Sequence, residues 1–178
     1  MNKQDVVAVV LGGPSSEAEV SRRTGGAIAE ALREKGYNAV EVELVPEKLV
    51  EQLREIDAKV VFNAVHGMYG EDGRLQSILE AIKMPYTGSG VLASAVAMDK
   101  VATKRFLISA NISTPKCLMY NKRFDNDMAK IEKEIIATFG VPVVIKAADQ
   151  GSSIGVEIVK VEADVAAALE NTFKYSDL

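Results

Sequence analysis

The sequence of 178 residues holds one cysteine, Cys117, and one histidine, His66. A single cysteine excludes an intrachain disulfide and suits a reducing compartment. A single histidine excludes a histidine-rich metal site. The apolar run Val6–Leu11 is too short for a membrane span or for the core of a signal peptide, and it leads into Gly12-Gly13-Pro14, not into a small-residue cleavage site. Positive charge is not in excess. The formal net charge of −4 argues against nucleic acid or an anionic membrane as partner, while leaving room for a local basic pocket. No G-x-x-x-x-G-K-[ST] occurs, so there is no P-loop. What is present, 48% hydrophobic and 26% charged residues, is the composition of a soluble globular protein, expected in the cytoplasm.

Short β-branched runs alternate with longer helical patterns. Strands are expected at residues 6–11, 39–43 and 60–64, with helices over 17–35, 46–55 and 74–83. That order predicts an α/β fold with a parallel sheet covered by helices on both faces. A boundary is expected near Gly88-Ser89-Gly90. Beyond it the pattern predicts helices at 91–98, 101–110 and 127–139, strands at 116–120, 143–146 and 155–160, and a last helical stripe of Val165, Leu169 and Phe173. This second segment is α+β in character. It ends directly after an apolar helix with few strands for its apolar content, and so reads as cut short.

Four places carry candidate chemistry. The turn Gly12-Gly13-Pro14-Ser15-Ser16-Glu17 joins the first strand to the first helix, where parallel sheets bind ligands against free helix N–H groups. It is not the dinucleotide fingerprint. Ser16 and Glu19 read as a capping box, which leaves Glu17 either to bind an ammonium group or to favour the helix dipole. The pattern alone favours the dipole. The second place is His66-Gly67-Met68-Tyr69-Gly70-Glu71-Asp72-Gly73, past the third strand. Its glycines suit a sharp turn or a close approach, and equally a flexible loop with Asp72 capping the next helix. Lys100, at a junction of helices, by itself reads as a solvated lysine. Lys146 ends a buried-type strand and is followed by a loop containing Gly151, Ser152 and Ser153. That arrangement is either a phosphate cradle with lysine as point charge or a long hairpin connection.

In order and spacing these segments resemble the D-alanine–D-alanine ligases of the ATP-grasp superfamily. The resemblance is carried by Val9-Val10-Leu11-Gly12-Gly13, Ser16-Glu17-Ala18-Glu19-Val20-Ser21, and His66-Gly67 with Gly70-Glu71-Asp72-Gly73 and Leu75-Gln76. It continues through Pro85-Tyr86-Thr87-Gly88-Ser89-Gly90 with Ser94-Ala95, and Met98-Asp99-Lys100. Its last part is Pro142-Val143-Val144-Ile145-Lys146 with Gly151-Ser152-Ser153-Ile154-Gly155. It spans essentially the whole chain, and residues 86–100 with Gly-Glu-Asp-Gly are its most specific parts.

The resemblance implies a Rossmann-like, pre-ATP-grasp domain over residues 1–95 and an incomplete ATP-grasp lobe over 96–178. It implies a reaction in which ATP phosphorylates one D-alanine and the amine of a second displaces phosphate, for peptidoglycan precursor synthesis. Glu17 would hold the first substrate's ammonium and His66 would lie near its carboxylate. Ser152 would hydrogen-bond in a network with Glu17 and help close the site. Lys100 and Lys146 would contact ATP phosphates, with Gly151 and Ser153 in the phosphate loop. A homodimer is also implied. The adenine-binding hinge strand, the Mg2+ ligands, a transition-state arginine and the tyrosine partner of the serine belong to the family's C-terminal part, so no metal ligand is assigned here and the chain alone is expected to be inactive. Ala147 and Gln150 depart from the family pattern, where proline and often an acid are expected. Two other readings stand beside this one: a non-catalytic D-amino-acid-binding module, and a ligase taking D-lactate or D-serine as acceptor.

Overall fold

The computed structural model describes residues 2–178. Contacts divide the chain into two units, the first ending at Ala97 and the second running Met98–Leu178.

The first unit contains β1 (Val6–Leu11), α1 (Ala18–Glu34), β2 (Asn38–Glu43), α2 (Leu49–Glu55), β3 (Ala58–Asn63), α3 (Arg74–Ala81) and α4 (Val91–Met98). The strands form a parallel sheet in the order β2-β1-β3. A single parallel bridge, Val61 to Tyr86, adds a short edge beyond β3. Central β1 is apolar throughout because both of its faces are covered. On one face Ala8 and Val10 pack with Val42, Leu49, Leu53, Val61, Leu75 and Leu79. On the other Val9 packs with Ala29, Ala39 and Ala64. Each fully buried Leu contributes roughly 1.5–3 kcal/mol.

Helix α1 lies close to the sheet because its inward stripe is small: Ser21, Gly25 and Ala29, four residues apart. A Cβ on Gly25 would come within 2.6 Å of Leu11 Cβ. The expected capping box does not form. Glu17 takes the N-cap position without a side-chain cap bond. The Ser15 hydroxyl accepts from Glu17 N (3.1 Å) and donates to the His66 carbonyl (2.8 Å), while Glu19 turns to Arg22 (3.4 Å). The helix begins one residue later than a Ser16 cap requires, because Ser15 holds the entering chain to the end of β3. Similarly, α2 begins at Leu49 and not at Pro46, which sits in the turn closed by Lys48 N and Val45 O.

The second unit contains α5 (Lys100–Ser109), α6 (Met128–Phe139), β4 (Val143–Lys146), β5 (Val156–Val159), a 3-10 turn (Glu162–Asp164) and α7 (Val165–Thr172). β4 and β5 pair antiparallel. Ile131 and Ile135 of α6 meet Val159, Val165, Leu169 and Phe173 in its core. The strand expected at 116–120 is not formed: these residues join no sheet, and Leu118 and Tyr120 pack sideways onto that core. An apolar alternation supplies a face to bury but not a neighbouring strand to pair with.

Candidate functional site

In the first unit the carboxyl ends of β1 and β3 open beside the start of α1. Ser21, fully buried, ties the three together: its hydroxyl accepts from Gly12 N (2.8 Å) and donates to Ala64 O (2.7 Å). Gly12 and Gly13 adopt φ of +70° and +87°, and Glu43 at the end of β2 accepts from Gly13 N at 3.2 Å. Arg22 pairs with Glu43 at 2.7 Å. That hydrogen bond is the main reason the Glu43 carboxyl lies below its ordinary range.

Glu17 and the His66-Gly67 segment both border this mouth. The Glu17 carboxylate lies over Gly67, where a Cβ would be 2.7 Å from Glu17 Oε2, a contact the flexible Glu17 side chain could relieve by turning aside. Gly67 also has a φ of +67°. His66 faces Thr24 through Nε2 (3.2 Å) and Glu71 through Nδ1 (4.0 Å). Glu71 also accepts from Gly67 N at 2.9 Å. The loop from His66 to Gly73 is fixed by many bonds. Asn63 Nδ2 and Gln76 Nε2 both donate to Gly70 O, at 2.8 and 2.7 Å. Asp72 accepts from Tyr69 N and Arg74 N, at 2.9 and 3.1 Å. The mouth therefore presents two carboxylates, an imidazole and a rigid glycine-bearing backbone: groups suited to a small zwitterion.

In the second unit Asp99 caps α5, accepting from Val101 N and Ala102 N at 2.8 Å each, and Lys100 follows it. The Lys100 ammonium donates to Gln150 O at 2.7 Å and Ala148 O at 3.4 Å, strapping the loop after β4. Burial lowers its pKa, the nearby Lys146 lowers it further, and Asp149 and Asp99 oppose the shift. Two ammonium groups that disfavour each other are relieved by an anion between them. Gly151 is half-buried, while Lys146, Ser152 and Ser153 are exposed. Ser152 adopts a φ of +53° at the loop tip.

In the first unit Ser15 bridges Glu17 N to the His66 carbonyl and the Glu17 carboxylate lies over Gly67, while in the second Lys146 is near enough to act electrostatically on Lys100. Glu71, Thr24 and Ser15 are neighbours of His66 that the sequence reading did not single out as site residues. One signal was available: Glu17, Ser21 and Thr24 fall at i, i+4 and i+7, a polar stripe on an otherwise ordinary amphipathic helix. Among the described residues no group of three or more His, Cys, Asp or Glu side chains is placed to hold a metal ion, and no helix is long and apolar enough to cross a membrane.

Two family models match the chain: D-ala D-ala ligase N-terminus over residues 43–89 and D-ala D-ala ligase C-terminus over residues 106–177. The D-alanine–D-alanine ligase of Moorella thermoacetica is 45% identical over 170 residues, covering 95% of this chain and 55% of that protein. The crystal structure of the Bacillus anthracis D-alanine–D-alanine ligase superposes with a TM-score of 0.83 at 34% identity, covering 97% of this chain and 55% of that one. Its complex with ATP gives 0.81 at 32% identity, covering 97% and 56%. The chain belongs to the D-alanine–D-alanine ligase family, and it spans about half the length of the curated relatives it matches.

Proposed function

We propose that the chain supplies the first-substrate pocket and part of the phosphate site of a cytoplasmic ligase that forms D-alanyl-D-alanine for the cell wall. The observation that carries this reading is the Glu17–His66 mouth. A carboxylate that spends no hydrogen bond on capping its own helix is free to take the ammonium of a D-amino acid. The half-buried imidazole of the adjoining His66 serves the substrate carboxylate. Attack of that carboxylate on the γ-phosphorus of ATP gives an acyl phosphate and releases ADP, and the amine of a second D-alanine then adds to the acyl carbon, loses a proton and expels phosphate through a tetrahedral intermediate. The Lys100 and Lys146 ammoniums offset charge that builds on the transferring phosphoryl group. Gly151, Ser152 and Ser153 supply loop N–H and hydroxyl donors.

Beside Lys146, Val144 and Ile158 stand opposite one another on the exposed face of the hairpin, 48% and 67% accessible. A flat apolar pair next to an ammonium suits a nucleotide. Magnesium accompanies ATP in this reactivity class, and among the described residues no group of three or more His, Cys, Asp or Glu side chains is placed to hold it. The domain roles follow: residues 1–95 hold the amino acid and residues 96–178 hold phosphate. Pairing of two copies belongs to the same reading.

The test is D-alanine-dependent phosphate release from ATP. It is run on this chain alone and on this chain joined to the unmatched C-terminal part of the Moorella thermoacetica ligase. Activity only in the joined protein, lost on Glu17→Gln, is the expected result. A folded joined protein that binds ATP yet releases no phosphate with D-alanine overturns the ligase reading and leaves a binding module. Exchange of the second D-alanine for D-lactate or D-serine in the same assay assigns the acceptor.

A further inference from the structure

His66 is the only histidine in the chain, and both of its ring nitrogens face a partner. Glu71 Oε1 lies 4.0 Å from Nδ1, and Thr24 Oγ1 lies 3.2 Å from Nε2. At 4.0 Å the carboxylate is beyond hydrogen-bond reach, but its negative charge still favours the ring form with the proton on the facing Nδ1. In that form Nε2 is bare and can accept from the Thr24 hydroxyl, 3.2 Å away. Thr24 stands three residues after Ser21 on the same face of α1, and Ser21 bonds that helix to the ends of β1 and β3. Glu71 is held in turn by Gly67 N at 2.9 Å. The ring thus lies between the Thr24 hydroxyl and the Glu71 carboxylate, and it adjoins Gly67, over which the Glu17 carboxylate lies.

We propose that Thr24 is a positioning residue whose hydroxyl fixes the orientation and tautomer of the His66 imidazole, leaving the Nδ1 proton directed away from α1. The proposal rests on the Proposed function for its consequence, since the fixed ring is the one assigned to the substrate carboxylate. Its geometry stands independently of that assignment. In a neutral imidazole the hydrogen bond made by one nitrogen sets the state of the other.

The experiment uses the full chain with ¹⁵N-labelled histidine, which gives one pair of ring signals. At about pH 8, above the ordinary histidine range, two-bond ¹H–¹⁵N spectra report which nitrogen carries the proton. The wild-type protein and Thr24→Ser are expected to show an N–H-type shift at Nδ1 and a bare-nitrogen shift at Nε2. Thr24→Val, equal in shape but without the hydroxyl, is expected to move both shifts toward those of free imidazole, with backbone amide signals away from α1 unchanged. Identical ring shifts in Thr24→Val and wild type overturn the proposal, as does a wild-type ring protonated on Nε2. D-alanine is then added at millimolar concentration. Ring signals of the wild type that respond, and respond less in Thr24→Val, support the positioning role. A wild-type ring indifferent to D-alanine counts against the pocket assignment, while the tautomer comparison still decides the role of Thr24.

Discussion

The loops that leave β3 and β4 are both rich in glycine, but they are held in different ways. The first, between Asn63 and Arg74, is bonded from inside. Gly70 O receives two side-chain amides, Glu71 and Asp72 accept backbone N–H groups, and Gly70 leaves no room for a Cβ, which would sit 2.0 Å from Val65 O. The second is fixed at its base by Ala147 N to Gly155 O (2.9 Å) and strapped by Lys100, while Ser152 and Ser153 stand exposed at its tip. A rigid mouth suits a substrate as small as an amino acid, because affinity for few atoms depends on groups that need no ordering on binding. A loop strapped by one ammonium can adjust when an anion competes for that ammonium.

If the first loop is rigid because nothing in it can move, Gly70→Ala is the substitution that breaks it. A methyl placed against backbone has no relief, so a loss above about 3 kcal/mol is expected in urea unfolding. A loss under about 1 kcal/mol would show that the loop yields as the second one does. Lys100→Met tests the other side of the comparison. Removing the bonds from Lys100 Nζ to Gln150 O and Ala148 O is expected to cost about 1–2 kcal/mol, since bonds from charged donors are worth more than neutral ones and this one is partly exposed. Amide exchange should quicken at residues 148–155 and stay unchanged at 66–73. Equal quickening in both loops would remove the distinction.

Gly26 gives a smaller effect of opposite sign. It is helical, and a Cβ there would meet nothing within 4 Å. Gly26→Ala should stabilise by about 0.5–1 kcal/mol in the same unfolding measurement, which separates glycines needed for close approach from those that merely weaken a helix. Glu43→Gln should have the least effect at neutral pH, because its pair with Arg22 is exposed to solvent. The folded pKa of Glu43 is depressed from 4.5, so the carboxylate stabilises above that value, and its contribution is lost as pH falls through the folded value. The difference in melting temperature between wild type and Glu43→Gln should therefore shrink below about pH 4.5. A difference that persists unchanged to lower pH would mean that the side chain acts through packing and not charge.

Much of this was legible in order and periodicity. The bounds of β1, α4 and β4 agree with the apolar pattern to the residue, and the parallel sheet follows from alternating strands and helices. The chain's place among the D-alanine–D-alanine ligases was legible in its glycines, Glu17, His66 and the two lysines, and the family models and relatives bear it out. Two local readings failed for one reason. The capping box at Ser16 and the strand at 116–120 were read from neighbours in sequence. Their outcome was set by partners far along the chain: the His66 carbonyl for Ser15, and the absence of a strand for 116–120 to join.

The sequence by itself determined which residues could carry charge and where the backbone had to be free of a Cβ, because those properties belong to side chains one at a time. It left open whether the His66–Gly73 loop was loose or fixed, whether Glu17 served its own helix, and what His66 touched. The tertiary structure decided these. Asn63 and Gln76, thirteen residues apart, converge on one carbonyl, and Thr24 comes within 3.2 Å of a ring forty-two residues away. Hydrogen bonds between distant segments depend on how the sheet and helix pack, and short-range periodicity carries no record of them.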